Sequence, residues 1–334
     1  LCDYALKVEL NVREFLHGIL IFPVLKFKVM SDEFGSKLSS PDGVAKFRNF
    51  VKEFESELKE KKSICSDIFS TIKLKKFDVC AGKRKWAIKV LKGISAVGVD
   101  GSQIQPLREF GIPAGAVQVA AFRVEHGSGN WDVSYTSRIV RLEENVDATR
   151  YALEMDVLRR NADGRSYLFY DGSFTPSFVR EMAREVRSRY EKAAEDTVKK
   201  CSETKTPLFG YTDRSYSKDI AKAHGVNIYD SFILSEMDIM SYTEPFCSGE
   251  ICYCYVRFSP SLPSKVEFPE WMKKKFDKFI RILCAECMLG STFSYPYVLE
   301  RAHSYAAVSE RERKLIVEAV GGISLSFKWV SKLG

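Results

Sequence analysis

Two Asp-Gly-Ser tripeptides, each closing an apolar run, constrain the fold of this chain more than any other feature of its sequence. Ile94-Ser95-Ala96-Val97-Gly98-Val99 leads into Asp100-Gly101-Ser102, and Ser166-Tyr167-Leu168-Phe169-Tyr170 leads into Asp171-Gly172-Ser173. Short runs rich in β-branched and aromatic residues that stop at Gly and Ser predict buried strands entering turns. Each aspartate is therefore expected where a strand ends. Asp-Gly is also a common turn dipeptide, and a single copy would mean a turn and nothing more. Two copies gain meaning if further acidic or metal-binding residues can join them. If the strands are sheet neighbours, both carboxylates project into the crevice where open α/β sheets hold ligands.

The rest of the chain supplies the core such a sheet needs. At 334 residues and 45% hydrophobic, it can fill one large domain or two smaller ones. No stretch approaches the roughly 18 to 20 apolar residues that span a bilayer. The longest candidate, Phe15 to Phe27, is broken by His17, Pro23 and Lys26, and no A-x-A-like cleavage site follows it, so neither an anchor nor a secretory signal is expected. A more ordinary protein start, Met30-Ser31-Asp32-Glu33, lies inside the chain, and residues 1–29 are read as an upstream or foreign segment. Nine cysteines, an odd number, scattered through a large chain point to a reducing cytoplasm. Cys252, Cys254, Cys284 and Cys287 lack the Gly-rich knuckles or histidine partners of a zinc site and are expected to be small buried hydrophobes.

Charge is uneven. The net charge is +7, and Lys73, Lys75, Lys76, Lys83, Arg84, Lys85, Lys89 and Lys92 face the single acid Asp78, with Phe77 and Trp86 interleaved. This stretch suits a phosphate backbone, with Lys83, Arg84 and Lys85 the candidate contacts; the ordinary reading is a solvated helix face. Lys273-Lys274-Lys275 with Lys278 and Arg281 is read as the wet side of an amphipathic helix.

Ser40-Pro41 opens a predicted helix over 40–62, with Val44, Phe47, Val51, Phe54 and Leu58 on one stripe. Strands are expected over Ile94 to Val99, Ala116 to Val124 and Val133 to Leu142, the last two joined at Gly127-Ser128-Gly129-Asn130. A helix from Val146 to Arg160 precedes the second tripeptide, and Thr175-Pro176 is expected to cap a charged helix reaching Lys200. Further on come a strand at Leu208 to Thr212, a short helix at Ser217 to Ala223 and a strand at Ile251 to Phe258. Helices from Trp271 to Leu289 and from Pro296 to Tyr305 follow, then a closing strand at Ile323 to Val330. That order predicts α/β with a mixed sheet covered by helices.

Two more residues could join the aspartates. Glu154 lies between apolar Leu153 and Met155, and is either paired with Arg150 four residues back or turned toward a site. His303 falls about 10 Å up the axis of a helix opening at Pro296, beside Ala302; a lone His on an apolar face is usually a satisfied core residue. Electrostatics decides what a convergence would mean. Two carboxylates about 4 Å apart repel by roughly 4 kcal/mol at an effective dielectric near 20. Such groups must protonate, separate or hold a cation. Oxygen donors with at most one imidazole favour Mg²⁺ or Mn²⁺ over zinc.

Val99-Asp100-Gly101-Ser102, Glu154, Tyr170-Asp171-Gly172-Ser173 and the Tyr295-Pro296-Tyr297 to His303 segment, in this order, resemble the NurA nucleases of archaea and some bacteria. The resemblance covers residues 94–330. It implies an RNase H-like core with a manganese-dependent site, in which Asp100, Glu154, Asp171 and His303 are the metal-site residues and Tyr295 is needed nearby. It further implies a homodimer that docks on a hexameric HerA-type translocase for DNA end resection. The implied activity is 5′ to 3′ exonuclease action on single- and double-stranded DNA, with internal cutting of single strands. The sequence has no G-x-x-x-x-G-K-[S/T] loop, so ATP hydrolysis is expected of the partner. Relatives often carry a Lys after the strand that follows the second tripeptide; here Arg214 or Lys218 is the expected phosphate contact, with Asp238 placed near the site. The expected organisation is an N-terminal helical basic extension over 1–92 and a nuclease domain over 93–334. The stripe of the 40–62 helix and the Phe15 to Phe27 run are the candidate dimer surfaces. Two other readings stay open: a DNA-binding adaptor of a translocase that no longer cuts, and a glycosidase using the paired carboxylates as acid and base.

Overall fold

The alternation that predicts the central strands also sets the sheet. A computed structural model describes residues 40–79, 82–105, 114–141 and 143–320. The predicted Phe15 to Phe27 run and closing strand at Ile323 to Val330 lie outside these. The described strands are β1 (Leu74–Lys76), β2 (Ser95–Ile104), β3 (Ala114–Glu125), β4 (Trp131–Arg141), β5 (Tyr167–Asp171), β6 (Leu208–Thr212), β7 (Ser241–Thr243), β8 (Phe246–Ser248), β9 (Ile251–Arg257) and β10 (Ser264–Pro269). They form one sheet in the order β1-β7-β9-β10-β6-β5-β2-β3-β4, with β8 on β9. β2, β3 and β4 are antiparallel, whereas β2–β5 and β5–β6 are parallel. Three antiparallel strands followed by helix, parallel strand, helix and parallel strand make the expected mixed, RNase H-like core.

The helices are α1 (Pro41–Ser70), α2 (Lys83–Leu91), α3 (Val146–Arg160), α4 (Arg184–Thr204), α5 (Asp219–Ala223), α6 (Asp230–Ile233), α7 (Phe276–Leu289), α8 (Tyr297–Ala306) and α9 (Glu310–Val320). Ser40 caps α1 by accepting the Gly43 amide, and Asn145 caps α3 by accepting that of Ala148. Strand alternation splits the core in two. Val97, Val99, Leu168 and Tyr170 pack with α3 and α4 on one face, while Ala96, Phe122, Phe169 and Phe209 pack with α2, α7 and α8 on the other.

Several expectations need correction. The first tripeptide does not end its strand: Gly101 and Ser102 stay paired with Val119 and Gln118, and β2 runs on to Ile104. What ends there is the parallel pairing, whose last partners are Val99 and Tyr170. The long charged helix begins at Arg184 rather than at Thr175, because the Phe174 and Thr175 amides are spent on the Glu267 carboxylate, and a 3-10 turn, Ser177–Glu181, intervenes. Likewise a 3-10 segment, Glu270–Lys275, precedes α7. Cys254, Cys284 and Cys287 are buried thiols as expected, but Cys252 is joined to Cys247 by a disulfide, their Cα atoms brought together as facing partners of β9 and β8.

The chain forms two compact units, the described part of Leu1–Asp67 with Lys218–Ile228, and Ile68–Ser217 with Tyr229–Gly334 as far as described. In the first, Val44, Phe47 and Phe50 of α1 are exposed. The second holds the sheet, and β1 and α2 belong to it. Among the described residues no helix is long and apolar enough to cross a membrane.

Backbone-to-backbone contact fixes α8 on β2. A Cβ at Gly98 would lie 2.2 Å from the Val298 carbonyl oxygen, so no side chain fits between strand and helix. Gly98→Val is expected to cost about 1–3 kcal/mol or more by overpacking, read as a lowered midpoint in urea denaturation.

Candidate metal centre

Three elements converge where β2 and β5 part. Asp100 lies one residue beyond the last β2–β5 pair and Asp171 is the final residue of β5. Asp100, Ala96 and Gly98 share the face covered by α8, and Phe169 and Asp171 point the same way. Helix α8, seated on Gly98, brings His303 over Asp100, with Nδ1 2.7 Å from Oδ2. One ligand atom each from Asp100, Asp171 and His303 lies within 4.8 Å of the others, and this is the one such grouping among the described residues. Asp100 is buried, Asp171 half-buried, and the His303 side chain is 69% exposed, so the crevice opens at the histidine. The other Asp100 oxygen accepts the Gly101 amide at 2.8 Å, which fixes the carboxylate.

Glu154 approaches from the opposite face. It is buried on α3, where Oε2 accepts the Tyr170 hydroxyl at 2.9 Å and Oε1 lies 3.8 Å from Arg150 Nε. A Cβ at Gly101 would stand 2.3 Å from its Oε1. The missing side chain of Gly101 is therefore what lets a third carboxylate reach the strand. Arg150 braces the same spot by donating to the Gly101 carbonyl at 3.2 Å.

Without a cation the charges are frustrated. Burial pushes the Glu154 carboxyl up to about 8, with Asp100 and Asp171 adding to the rise while Arg150 and the Tyr170 hydroxyl oppose it. Burial also lifts Asp171 to about 6, opposed by the hydrogen bond from Tyr295 and the nearby His303 and reinforced by Asp100 and Asp213. Tyr295 is held far above its ordinary range by burial and by Asp171, so its hydroxyl remains a donor. Carboxyls raised chiefly by burial and further by one another would be relieved by a divalent ion between them.

The other expected residues lie on several elements. Lys83, Arg84 and Lys85 are exposed at the start of α2, and the Arg84 guanidinium lies over the Phe293 ring, two residues before Tyr295. Arg214 is exposed beyond the end of β6, next to Asp213. Lys218 falls in the smaller unit, where it bonds Asn227, and Asp238 is taken by Lys76 beside β1. Lys75 and Lys76 of the basic stretch pair with Asp277 and Asp238.

Oxygen donors and one imidazole gathered at the parting of parallel strands form a site suited to a hard divalent ion. The NurA domain model matches residues 95–308, more than half of the chain, and the chain belongs to the NurA family. No curated protein sequence matches it. The crystal structure of the NurA nuclease from Sulfolobus solfataricus is similar, with 16% identity, a TM-score of 0.62, and coverage of 86% of this chain and 98% of that one. A second NurA crystal structure has 11% identity, a TM-score of 0.52 and coverage of 85% and 98%. A third, bound to dAMP and manganese, has 11% identity, a TM-score of 0.51 and coverage of 86% and 98%. At these identities the likeness establishes the fold.

Glu267 escapes sequence reasoning. Buried on β10, it accepts from Ser173 Oγ and Thr175 Oγ1, both at 2.9 Å, and from the Phe174 amide at 2.7 Å, and it pairs with Lys265 at 2.9 Å. It thereby clasps the loop that follows Asp171. An acid between Val266 and Phe268 was the only hint. Glu267→Ala strips several buried donors and a lysine of their partner and is expected to cost about 3–5 kcal/mol, measured by urea denaturation.

The raised carboxyls also fix a pH dependence. In EDTA the folded protein keeps protons that the unfolded chain releases, from 3.8 to about 6 at Asp171 and from 4.5 to about 8 at Glu154, so stability falls as pH rises through those windows. Between pH 6 and 8 the loss from Glu154 approaches about 1.4 kcal/mol per unit. Denaturation at stepped pH should show this slope, and Glu154→Gln should flatten it.

Proposed function

We propose that this chain is a manganese-dependent deoxyribonuclease that hydrolyses phosphodiester bonds at DNA ends, with magnesium as the alternative ion. The observation that carries this reading is the convergence of Asp100, Asp171 and His303 within 4.8 Å, with Glu154 beneath Gly101. Its closeness suits a shared cation better than the wider acid and base pair of a glycosidase, which needs about 5 Å or more for a nucleophile or water. The family membership and the dAMP and manganese of a similar NurA structure support it further.

In this reading Asp100 and Asp171 anchor the ion, and Glu154 and His303 complete its surroundings. When bound, the ion lowers the pKa of an incoming water and neutralises charge on the phosphate. Asp100 is held in place by the Gly101 amide, and Asp171 by Tyr295, so neither carboxylate must reorient during the reaction. Tyr295, kept protonated, positions the scissile phosphate or the water. Arg150 balances the negative charge of Glu154. Lys83, Arg84, Lys85 and Arg214 offer contacts to DNA phosphates. The polarity, 5′ to 3′ on single and double strands with internal cutting of single strands, the homodimer and the HerA-type translocase complete the proposal and rest on the family resemblance, while the cytoplasmic setting rests on the scattered cysteines.

Incubation of end-labelled linear DNA with Mn²⁺, Mg²⁺ or EDTA tests it. Cleavage should need a divalent ion, and 5′ against 3′ labels read the polarity. Asp100→Asn and Asp171→Asn are each expected to lower the rate by about a thousandfold or more while leaving DNA binding intact. Intact DNA under every metal condition would return the chain to a binding adaptor.

A further inference from the structure

We propose that the outer edge of the sheet carries a stacking platform for unpaired nucleobases, built on Trp131 and Tyr135 of β4 and backed by Tyr305 and Arg301 of α8. The inference rests on the DNA-directed reading above and adds the surface that would receive a single strand.

Register places the platform. Asp100 pairs with Ala120 and Ala120 with Tyr135, so Tyr135 lies in the same cross-sheet row as Asp100, on the same face, two strand spacings or about 10 Å away. Trp131, four residues earlier on β4, shares that face. β4 ends the sheet order, and both rings are exposed, Trp131 by 59% and Tyr135 by 53%. Exposed aromatics at a sheet edge are a liability unless something uses them.

The Trp131 ring is not isolated. It stacks on Tyr305 with centroids 6.4 Å apart and a 25° interplanar angle, and Tyr305 stacks on buried Phe122 at 6.0 Å and 15°. Arg301 lies over both Tyr305 and Phe122, at 5.1 and 5.8 Å, and donates to the Tyr305 hydroxyl at 2.9 Å. The indole is thus held rigid from behind by a stacked pair carrying a cation, which leaves its other surface outward. Beside it opens a cavity of about 340 Å³ lined by Trp131, Tyr297, His126, Glu125, Gly127 and Gly129. That is the low end of small-ligand sites, the size of one nucleotide rather than a helix. His126 is fixed in its wall by the buried Glu286, 2.5 Å from Nε2.

A flat π surface with a nearby cation and polar groups fits a base. It fits an unpaired one, because a base stacked in a duplex has no free face to offer. Arg301 and Tyr305 lie on the flank of α8 turned away from His303, and the register sets Tyr135 about 10 Å and Trp131 about 16 Å from Asp100. A strand stacked at roughly 3.4 Å per nucleotide spans those distances in about three to five steps.

Binding of oligo(dT) and of a duplex of equal length, followed by tryptophan fluorescence and anisotropy in EDTA, tests the platform without cleavage. Trp131→Ala is expected to weaken single-strand binding by about 5- to 100-fold and to remove the quenching, with duplex binding much less affected; Trp131→Phe should keep most of the affinity. Hydrolysis of bis(p-nitrophenyl) phosphate with Mn²⁺ should be the same in wild type and Trp131→Ala. Equal oligo(dT) affinity in Trp131→Ala overturns the proposal, as does a fall from dimer to monomer mass, which would make this edge a subunit contact. If wild type binds oligo(dT) through Trp131 but cleaves nothing with any metal, the nuclease reading fails and the platform stands.

Discussion

The parting of β2 from β5 governs this molecule. Parallel pairing holds the two strands together through Val99 and Tyr170 and then stops, and the next residue on each strand is an aspartate. Because facing residues in paired strands share a side, both carboxylates emerge on the face beneath α8. Backbone geometry, not side-chain attraction, forces two like charges into one crevice. Everything nearby reads as a response to that: a histidine set on one Asp100 oxygen, the Gly101 amide on the other, and a tyrosine on Asp171.

The two faces of the sheet contribute differently. On the α8 side, the close seat of Val298 on Gly98 sets where the helix runs, and His303 follows from it. The start of that helix is held as well, since buried Glu286 accepts the Val298 amide while its other oxygen meets His126. On the α3 side, Tyr170 and Arg150 bring Glu154 up to the bare backbone of Gly101. The site is thus threaded through the sheet at Gly101, which has no side chain to block the way.

The centre of the fold was legible in the sequence because its signals are local. The strands around both tripeptides, the hairpin at Gly127 to Asn130 and helix α3 follow from alternation, turn residues and capping within short windows. Asp100 and Asp171 were readable for the same reason. Glu267 was not, because the loop donors it binds lie more than ninety residues away, and a strand of six residues carries little pattern of its own. The continuation of β2 through Gly101 was hidden too, since antiparallel pairing with β3 outweighs the turn preference of Asp-Gly. The false start of the charged helix has the same origin: Thr175-Pro176 looks like a cap, but a distant carboxylate claims the amides first. Charge on the chain says nothing about which element it meets: Lys218 bonds Asn227 within the smaller unit, and Asp238 pairs with Lys76.

The central claim is that Asp100 and Asp171 hold a divalent ion together. Crystals soaked in Mn²⁺ and measured near the manganese absorption edge test it directly. The account predicts anomalous density between the two carboxylates, within reach of His303 and Glu154, and its loss in Asp171→Asn. Density elsewhere with this crevice empty, or density that persists unchanged in that variant, would contradict it.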